Sequence, residues 1–137
     1  MDPVNLLKDL VAIPSVNPMG RDLTGPEYFE KRVSDYLEAT FKSLGVRYQR
    51  VEVAPGRANL IARFDSPGAT RTVLLDAHQD TVPIDGYIGD PFNAEIRDGK
   101  LFGRGSCDVK GGLAAMLSAF ARLVQEKPAG ADRKSVV

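Results

Sequence analysis

The 137-residue sequence has one cysteine, one histidine, no tryptophan and no excess of either charge. The single cysteine, Cys107, excludes an internal disulfide framework. The single histidine, His78, excludes a metal site built from several histidines of this chain. Lys and Arg number 18, as do Asp and Glu, so the formal net charge is zero. The basic excess typical of nucleic-acid binders is absent, and we expect no nucleic-acid partner.

Long hydrophobic runs are also missing. The start, Met1-Asp2-Pro3, lacks the basic residues of a secretory signal, and Lys8-Asp9 interrupts the first apolar run. The most apolar later stretch, residues 113–124, contains Ser118 and Arg122 and is shorter than the roughly 20 residues that span a bilayer. We therefore expect a soluble, cytoplasmic protein with no membrane partner.

Composition and hydrophobic periodicity predict one α/β domain. Hydrophobic residues make up 43% and charged residues 26%, as in ordinary globular proteins. Helical spacing of apolar residues predicts helices over about 4–13, 26–44 and 111–126. Strands are predicted over 46–53, 59–64 and 72–77, with a hairpin over 94–102 around Asp98-Gly99. The 72–77 run is typical of a central strand buried on both faces, and Ser135-Val136-Val137 looks like the start of a further strand.

A first polar cluster, Asp76 to Pro83, contains the only histidine just past the predicted central strand. Ligand sites of open α/β sheets lie at the carboxyl ends of strands. Asp80 follows His78 by two residues, so in extended backbone both side chains point the same way. Asp80 could then accept a hydrogen bond from one ring nitrogen and leave the other free for a metal. The alternative is a solvated histidine in a polar turn.

A second cluster, Gly103 to Gly112, surrounds Asp108 with glycines just before a predicted helix. Asp108 could bridge two divalent cations with its two oxygens, or could simply cap the helix. We interpret Cys107 as a small packed residue. Arg104 and Lys110 could contact a substrate, but we interpret them as solvated or paired with a carboxylate. The spacing matches neither a P-loop nor a dinucleotide fingerprint, which leaves nucleotide binding only weakly supported.

Together these clusters resemble one metallohydrolase family. The segments that carry the resemblance occur in order along the chain: Leu10-Val11-Ala12-Ile13-Pro14-Ser15-Val16-Asn17-Pro18, His78-x-Asp80-x-Val82-Pro83, Asp90-Pro91-Phe92, and Asp98-Gly99-x-Leu101-x-Gly103-Arg104-Gly105-x-x-Asp108-x-Lys110-Gly111-Gly112. The sequence is similar to the co-catalytic zinc amidohydrolases and peptidases, the family of acetylornithine deacetylase, succinyl-diaminopimelate desuccinylase, carboxypeptidase G and aminoacylase.

The resemblance implies a role for each matching residue. His78 would be a ligand of one Zn²⁺, Asp108 the carboxylate that bridges two Zn²⁺, and Asp80 the catalytic-site residue that orients His78. In relatives the peptide bond after the bridging carboxylate is often cis. Co²⁺ or Mn²⁺ would be substitute metals. The implied fold is a layered α-β-α catalytic domain with a mixed, partly parallel sheet, of which residues 1–137 would be the N-terminal portion, without the lid domain.

The sequence departs from the family pattern in two respects. The tryptophan that commonly precedes the Asp-Pro-Phe segment is missing, and no match is found for the family's Glu-Glu pair, a further carboxylate ligand, a distant histidine or the lid. We therefore expect this chain to be the front part of a longer protein. Alone, it would be inactive and bind zinc weakly.

The parent protein would hydrolyse amide bonds of N-acyl amino acids or small peptides. Acetylornithine deacetylase-like or succinyl-diaminopimelate desuccinylase-like activity comes first, with carboxypeptidase or aminoacylase activity close behind. Its partners would be the small substrate and, through the lid, a second copy in a homodimer. The alternative class is a non-catalytic fragment that binds a partner through its incomplete sheet.

Overall fold

A computed structural model describes residues 1–127 and the backbone of residues 134–136. This part of the chain contains the helices α1 (Pro3–Ala12), α2 (Lys31–Ser43) and α3 (Gly111–Glu126). It also contains the strands β1 (Arg47–Ala54), β2 (Arg57–Asp65), β3 (Thr72–Leu74), β4 (Glu95–Arg97), β5 (Lys100–Phe102) and β6 (Lys134–Val136). None of the helices described has the length and apolar character needed to cross a membrane.

The strands form a mixed sheet in the order β1-β2-β6-β3. β1 and β2 are antiparallel, β6 is antiparallel to β2, and β6 is parallel to β3. The predicted α/β class with a mixed, partly parallel sheet is confirmed. β4 and β5 form a separate hairpin, in which Asp98 and Gly99 both have positive φ (52° and 72°), as a primed turn requires.

The core lies between β2 and the helices. Alternate residues of β2 point inward, namely Ala58, Leu60 and Ala62, because successive side chains of a strand face opposite sides. The helices contribute the buried residues of their apolar stripes, chiefly Leu10, Val33, Leu37, Phe41, Leu113, Leu117 and Phe120. These buried residues of α2 and α3 recur at the helical spacing from which helices over about 26–44 and 111–126 are predicted.

Local sequence signals mark the start of α1 and the end of α2. Asp2 caps α1, since its Oδ1 accepts a hydrogen bond from the Asn5 amide at 2.8 Å, and Pro3 occupies the first turn. Gly45 follows α2 with φ +66°. However, α2 begins at Lys31, not near residue 26 as predicted. The segment before it is held by a parallel bridge between Val16 and Tyr28, which keeps residues 26–29 out of the helix.

The prediction for residues 72–77 is wrong in length and in position. β3 ends at Leu74, and in the described part of the chain it lies at an edge of the sheet. Val73 and Leu74 remain 46% and 66% exposed. β6 covers one edge of β3, while residues 75–80 leave the sheet to make the contacts described below.

Candidate metal centre

The structure brings His78 and Asp108 together across 30 residues of sequence. His78 Nε2 lies 3.1 Å from Asp108 Oδ1. The side chains are 50% and 81% exposed, so both groups are open to a ligand from solvent. They line an open cavity of about 380 Å³ together with Asn17, Asp80 and neighbouring residues.

The other ring nitrogen of His78 faces two oxygen atoms of Asp80. Nδ1 lies 3.0 Å from the Asp80 carbonyl oxygen and 3.2 Å from its carboxylate Oδ1. A carbonyl and a carboxylate only accept hydrogen bonds, so we assign the proton to Nδ1. Nε2 faces Asp108 Oδ1 at 3.1 Å, so without a metal ion it donates a hydrogen bond to that carboxylate, and a metal ion held between the two groups would take its lone pair instead. Asp80 therefore orients His78 through its backbone as well as through the predicted carboxylate.

Opposing effects act on the pKa of His78. Partial burial of the ring lowers it, but hydrogen bonds to Asp108 and to the Asp80 carbonyl, with the charges of both carboxylates, raise it. The balance leaves the pKa of His78 above its ordinary value.

Asp80 has a second set of partners that sequence reasoning missed. Asn17 Nδ2 donates a hydrogen bond to Asp80 Oδ2 at 2.7 Å, and an Arg57 guanidinium nitrogen lies 3.8 Å from the same oxygen. Arg57 Nε in turn donates to Glu30 Oε2 at 2.9 Å, and the Glu30 side chain is only 8% exposed. Asn17 falls in the opening motif, but Glu30 and Arg57 belong to none of the family segments.

The backbone between His78 and Asp80 is fixed by Gln79. The Ser15 hydroxyl donates to the Gln79 carbonyl at 2.7 Å, and the Ser34 hydroxyl donates to Gln79 Oε1 at 2.9 Å. Gln79 Nε2 donates to the Ala58 carbonyl of β2 at 2.9 Å. The His78–Asp80 segment is therefore clamped between the N-terminal loop, α2 and β2.

Asp108 sits in a wide turn, Ser106–Lys110, that leads into α3. The turn follows Gly105, which has φ +80°, and the Asp108–Val109 peptide bond is cis, as the resemblance implied. Asp108 makes no capping hydrogen bond to this turn or to α3, so the helix-cap alternative is wrong. Cys107 is exposed, contrary to its interpretation as a packed residue.

The interpretation of Lys110 as a solvated or carboxylate-paired residue is wrong. Lys110 is fully buried, and its Nζ donates to the Leu10 and Ile13 carbonyls at 2.8 and 2.7 Å. It is therefore neither solvated nor paired with a carboxylate. Burial lowers the pKa of Lys110 to about 8. The ammonium ties the turn that carries Asp108 to the end of α1.

The donor chemistry at His78 and Asp108 fits a divalent metal. An imidazole nitrogen with its opposite nitrogen held by a carbonyl or carboxylate, beside a carboxylate, is the donor type that Zn²⁺ takes. Within residues 1–127, no group of three or more His, Cys, Asp or Glu side chains is placed to hold one ion. The described residues therefore offer a two-residue donor set.

Comparison with known proteins decides the family resemblance. The model of Peptidase family M20/M25/M40 matches residues 74–132, which include both polar clusters. The resemblance is confirmed. Succinyl-diaminopimelate desuccinylase of Cereibacter sphaeroides is 39% identical over 131 residues, which are 93% of this chain and 32% of that protein.

Solved structures of known peptidases share the fold. An M20 family metallo-carboxypeptidase from Sulfolobus solfataricus matches with a TM-score of 0.79 and 25% identity, over 99% of this chain and 30% of that one. Human carnosine dipeptidase 1 matches with a TM-score of 0.74 and 28% identity, over 98% and 31%. This chain thus shares the fold of about a third of each of these solved chains. It spans about a third of the length of the curated relatives it matches.

Proposed function

We propose that this chain supplies the His78–Asp108 part of a zinc centre in an amide-bond hydrolase. The observation that carries the proposal is the meeting of the only histidine with Asp108 at 3.1 Å, while Asp80 holds the opposite ring nitrogen. Metal-bound histidines characteristically donate their other N–H to such an oxygen. The family resemblance supports the same assignment.

Each residue has one role in this proposal. His78 binds one ion through Nε2, and Asp80 holds the proton on Nδ1. Asp108, highly exposed and free of capping bonds, would hold the metal ions through its carboxylate. Zinc, when bound, polarises the amide carbonyl and lowers the pKa of its water towards about 7.

We further propose N-acyl amino acids or small peptides as substrates. A desuccinylase-like or deacetylase-like activity comes first, because the relatives with 39% identity are named succinyl-diaminopimelate desuccinylases. Cleavage of small peptides is the second candidate, since two of the structural neighbours are a carboxypeptidase and a dipeptidase. Homodimerisation through a lid domain stays a prediction.

Zinc binding tests the assignment of the ligands directly. We expect weak binding of Zn²⁺ to this chain, because catalytic zinc usually has three protein ligands and the described set has two. Isothermal calorimetry and thermal melting should detect it in the unchanged chain and lose it in His78→Ala and in Asp108→Asn. Asp98→Asn, in the turn of the β4–β5 hairpin, makes the same chemical change away from the centre and should bind normally. Zinc binding that survives both ligand substitutions would contradict the assignment.

Catalysis is expected to need more than this chain. We expect the purified 137 residues to show no metal-dependent hydrolysis of N-succinyl-diaminopimelate or N-acetylornithine, because the donor set is short of the usual ligand number. The assay should run beside the desuccinylase of Cereibacter sphaeroides as a positive control. Turnover by this chain that His78→Ala abolishes would contradict the expectation.

A further inference from the structure

The two carboxylate oxygens of Asp80 contact different partners. Oδ1 lies 3.2 Å from His78 Nδ1. Oδ2 accepts a hydrogen bond from Asn17 at 2.7 Å and lies 3.8 Å from Arg57. A carboxylate is planar, so partners that fix Oδ2 also fix where Oδ1 points. The orientation of the His78 ring therefore depends on groups that never touch the ring.

We propose that Asn17 and the Glu30–Arg57 pair are positioning residues of the metal centre, which act through Asp80 to hold His78 in its ligand tautomer and orientation. This inference rests on the proposed function, because it presumes that His78 binds metal.

The Glu30–Arg57 pair is built as a fixed support. Glu30 is 8% exposed, and a buried carboxylate is stable only when it is paired and hydrogen-bonded. Arg57 supplies this partner, with Nε donating to Glu30 Oε2 at 2.9 Å. The guanidinium also lies 6.0 Å from the centre of the Phe29 ring. Its positive charge is thereby held beside Asp80 Oδ2, where it attracts that oxygen.

Three separate parts of the chain converge on Asp80. Asn17 lies in the N-terminal loop, Glu30 precedes α2, and Arg57 begins β2. On the same strand, Arg63 pairs with Asp65 at 2.9 Å on the surface. The Arg63–Asp65 pair therefore matches the Glu30–Arg57 pair in chemistry but does not contact Asp80.

The single histidine makes the test direct. In a chain labelled with ¹⁵N, every histidine ring signal belongs to His78, so NMR reads the protonation of Nδ1 and Nε2 without assignment. Zn²⁺ affinity is measured on the same samples by calorimetry. The variants are Asn17→Ala and the double variant Glu30→Gln/Arg57→Met, which removes the buried charge together with its partner. Arg63→Met is the control, and thermal melting with backbone spectra verifies folding.

We expect the unchanged chain and Arg63→Met to show a proton on Nδ1 in the zinc-loaded state. Asn17→Ala and the double variant should broaden or lose the Nδ1–H signal and weaken zinc binding about tenfold, at the lower end of the range for groups that support a metal ligand. Asn17 lies in a loop, so its variant keeps the test valid if the double variant fails to fold. Variants that fold and match Arg63→Met in both measurements would overturn the inference.

The two readouts separate this inference from the proposed function. If adding Zn²⁺ to the chain without substitutions does not shift the His78 Nε2 signal, then His78 does not bind metal. The proposed function and this inference are then both wrong. If zinc shifts Nε2 but neither set of variants alters Nδ1 or the affinity, only the positioning role fails.

Discussion

Gly105→Ala is expected to lower the free energy of unfolding by about 3 kcal/mol. Gly105 has φ +80°, which costs a residue with a side chain about 1–2 kcal/mol. An added Cβ would also lie 2.5 Å from Thr81 Cγ2, and Thr81 is buried. Overpacking of this kind typically costs a further 1–3 kcal/mol. Urea unfolding measures the loss.

Gly68→Ala is the matched control for that experiment. Gly68 has φ +77°, but nothing lies within 4 Å of the Cβ position. It should lose only the conformational part, about 1–2 kcal/mol. Equal losses in the two variants would mean that the close approach of Gly105 to Thr81 contributes nothing. The close approach of Gly105 to Thr81 also joins the turn that carries Asp108 to the segment that carries His78. We therefore expect Gly105→Ala to weaken zinc binding as well as the stability of the fold.

The second large effect concerns Lys110, whose stability contribution should depend on pH. Burial lowers its pKa from 10.5 to about 8 in the folded chain. Between these values the unfolded chain binds the proton and the folded chain does not, so stability rises with pH. A drop of this size corresponds to about 3 kcal/mol. Relative to Lys110→Met, the unfolding free energy of the unchanged chain should therefore rise by up to about 3 kcal/mol from pH 8 to 10.5.

The measurement is the difference between the two chains at each pH, because other groups that titrate contribute equally to both. Lys8→Met, on the exposed side of α1, removes the same charge from the surface and should show no such pH dependence. A constant difference between the unchanged chain and Lys110→Met across this range would show that Lys110 is not desolvated in the folded chain.

Local signals in the sequence predicted much of the fold. The Asp98-Gly99 turn acts within a few residues of itself, so its effect could be predicted directly. The core stripes of α2 and α3 follow from helical periodicity alone. The meeting of His78 with Asp108 was expected from the resemblance, since nothing local in either cluster determines a contact across 30 residues.

What sequence reasoning missed depends on distant contacts. The residues next to Lys110 give no local indication that its ammonium donates hydrogen bonds to two carbonyls at the end of α1. Glu30 and Arg57 are similarly ordinary until α2 and β2 bring them together beside Asp80. The error at 72–77 has the same origin, because an apolar run shows that a segment is a strand but not which neighbours it has.

The strand order also has a consequence for synthesis on the ribosome. β6 pairs with both β2 and β3, although it follows β2 by about 70 residues, and such distant pairings are slow to form. Until residues 134–136 leave the exit tunnel, the facing edges of β2 and β3 have no partner in the described sheet. Open edges on a nascent chain are sites of unwanted pairing with other chains, and they are natural targets for chaperones.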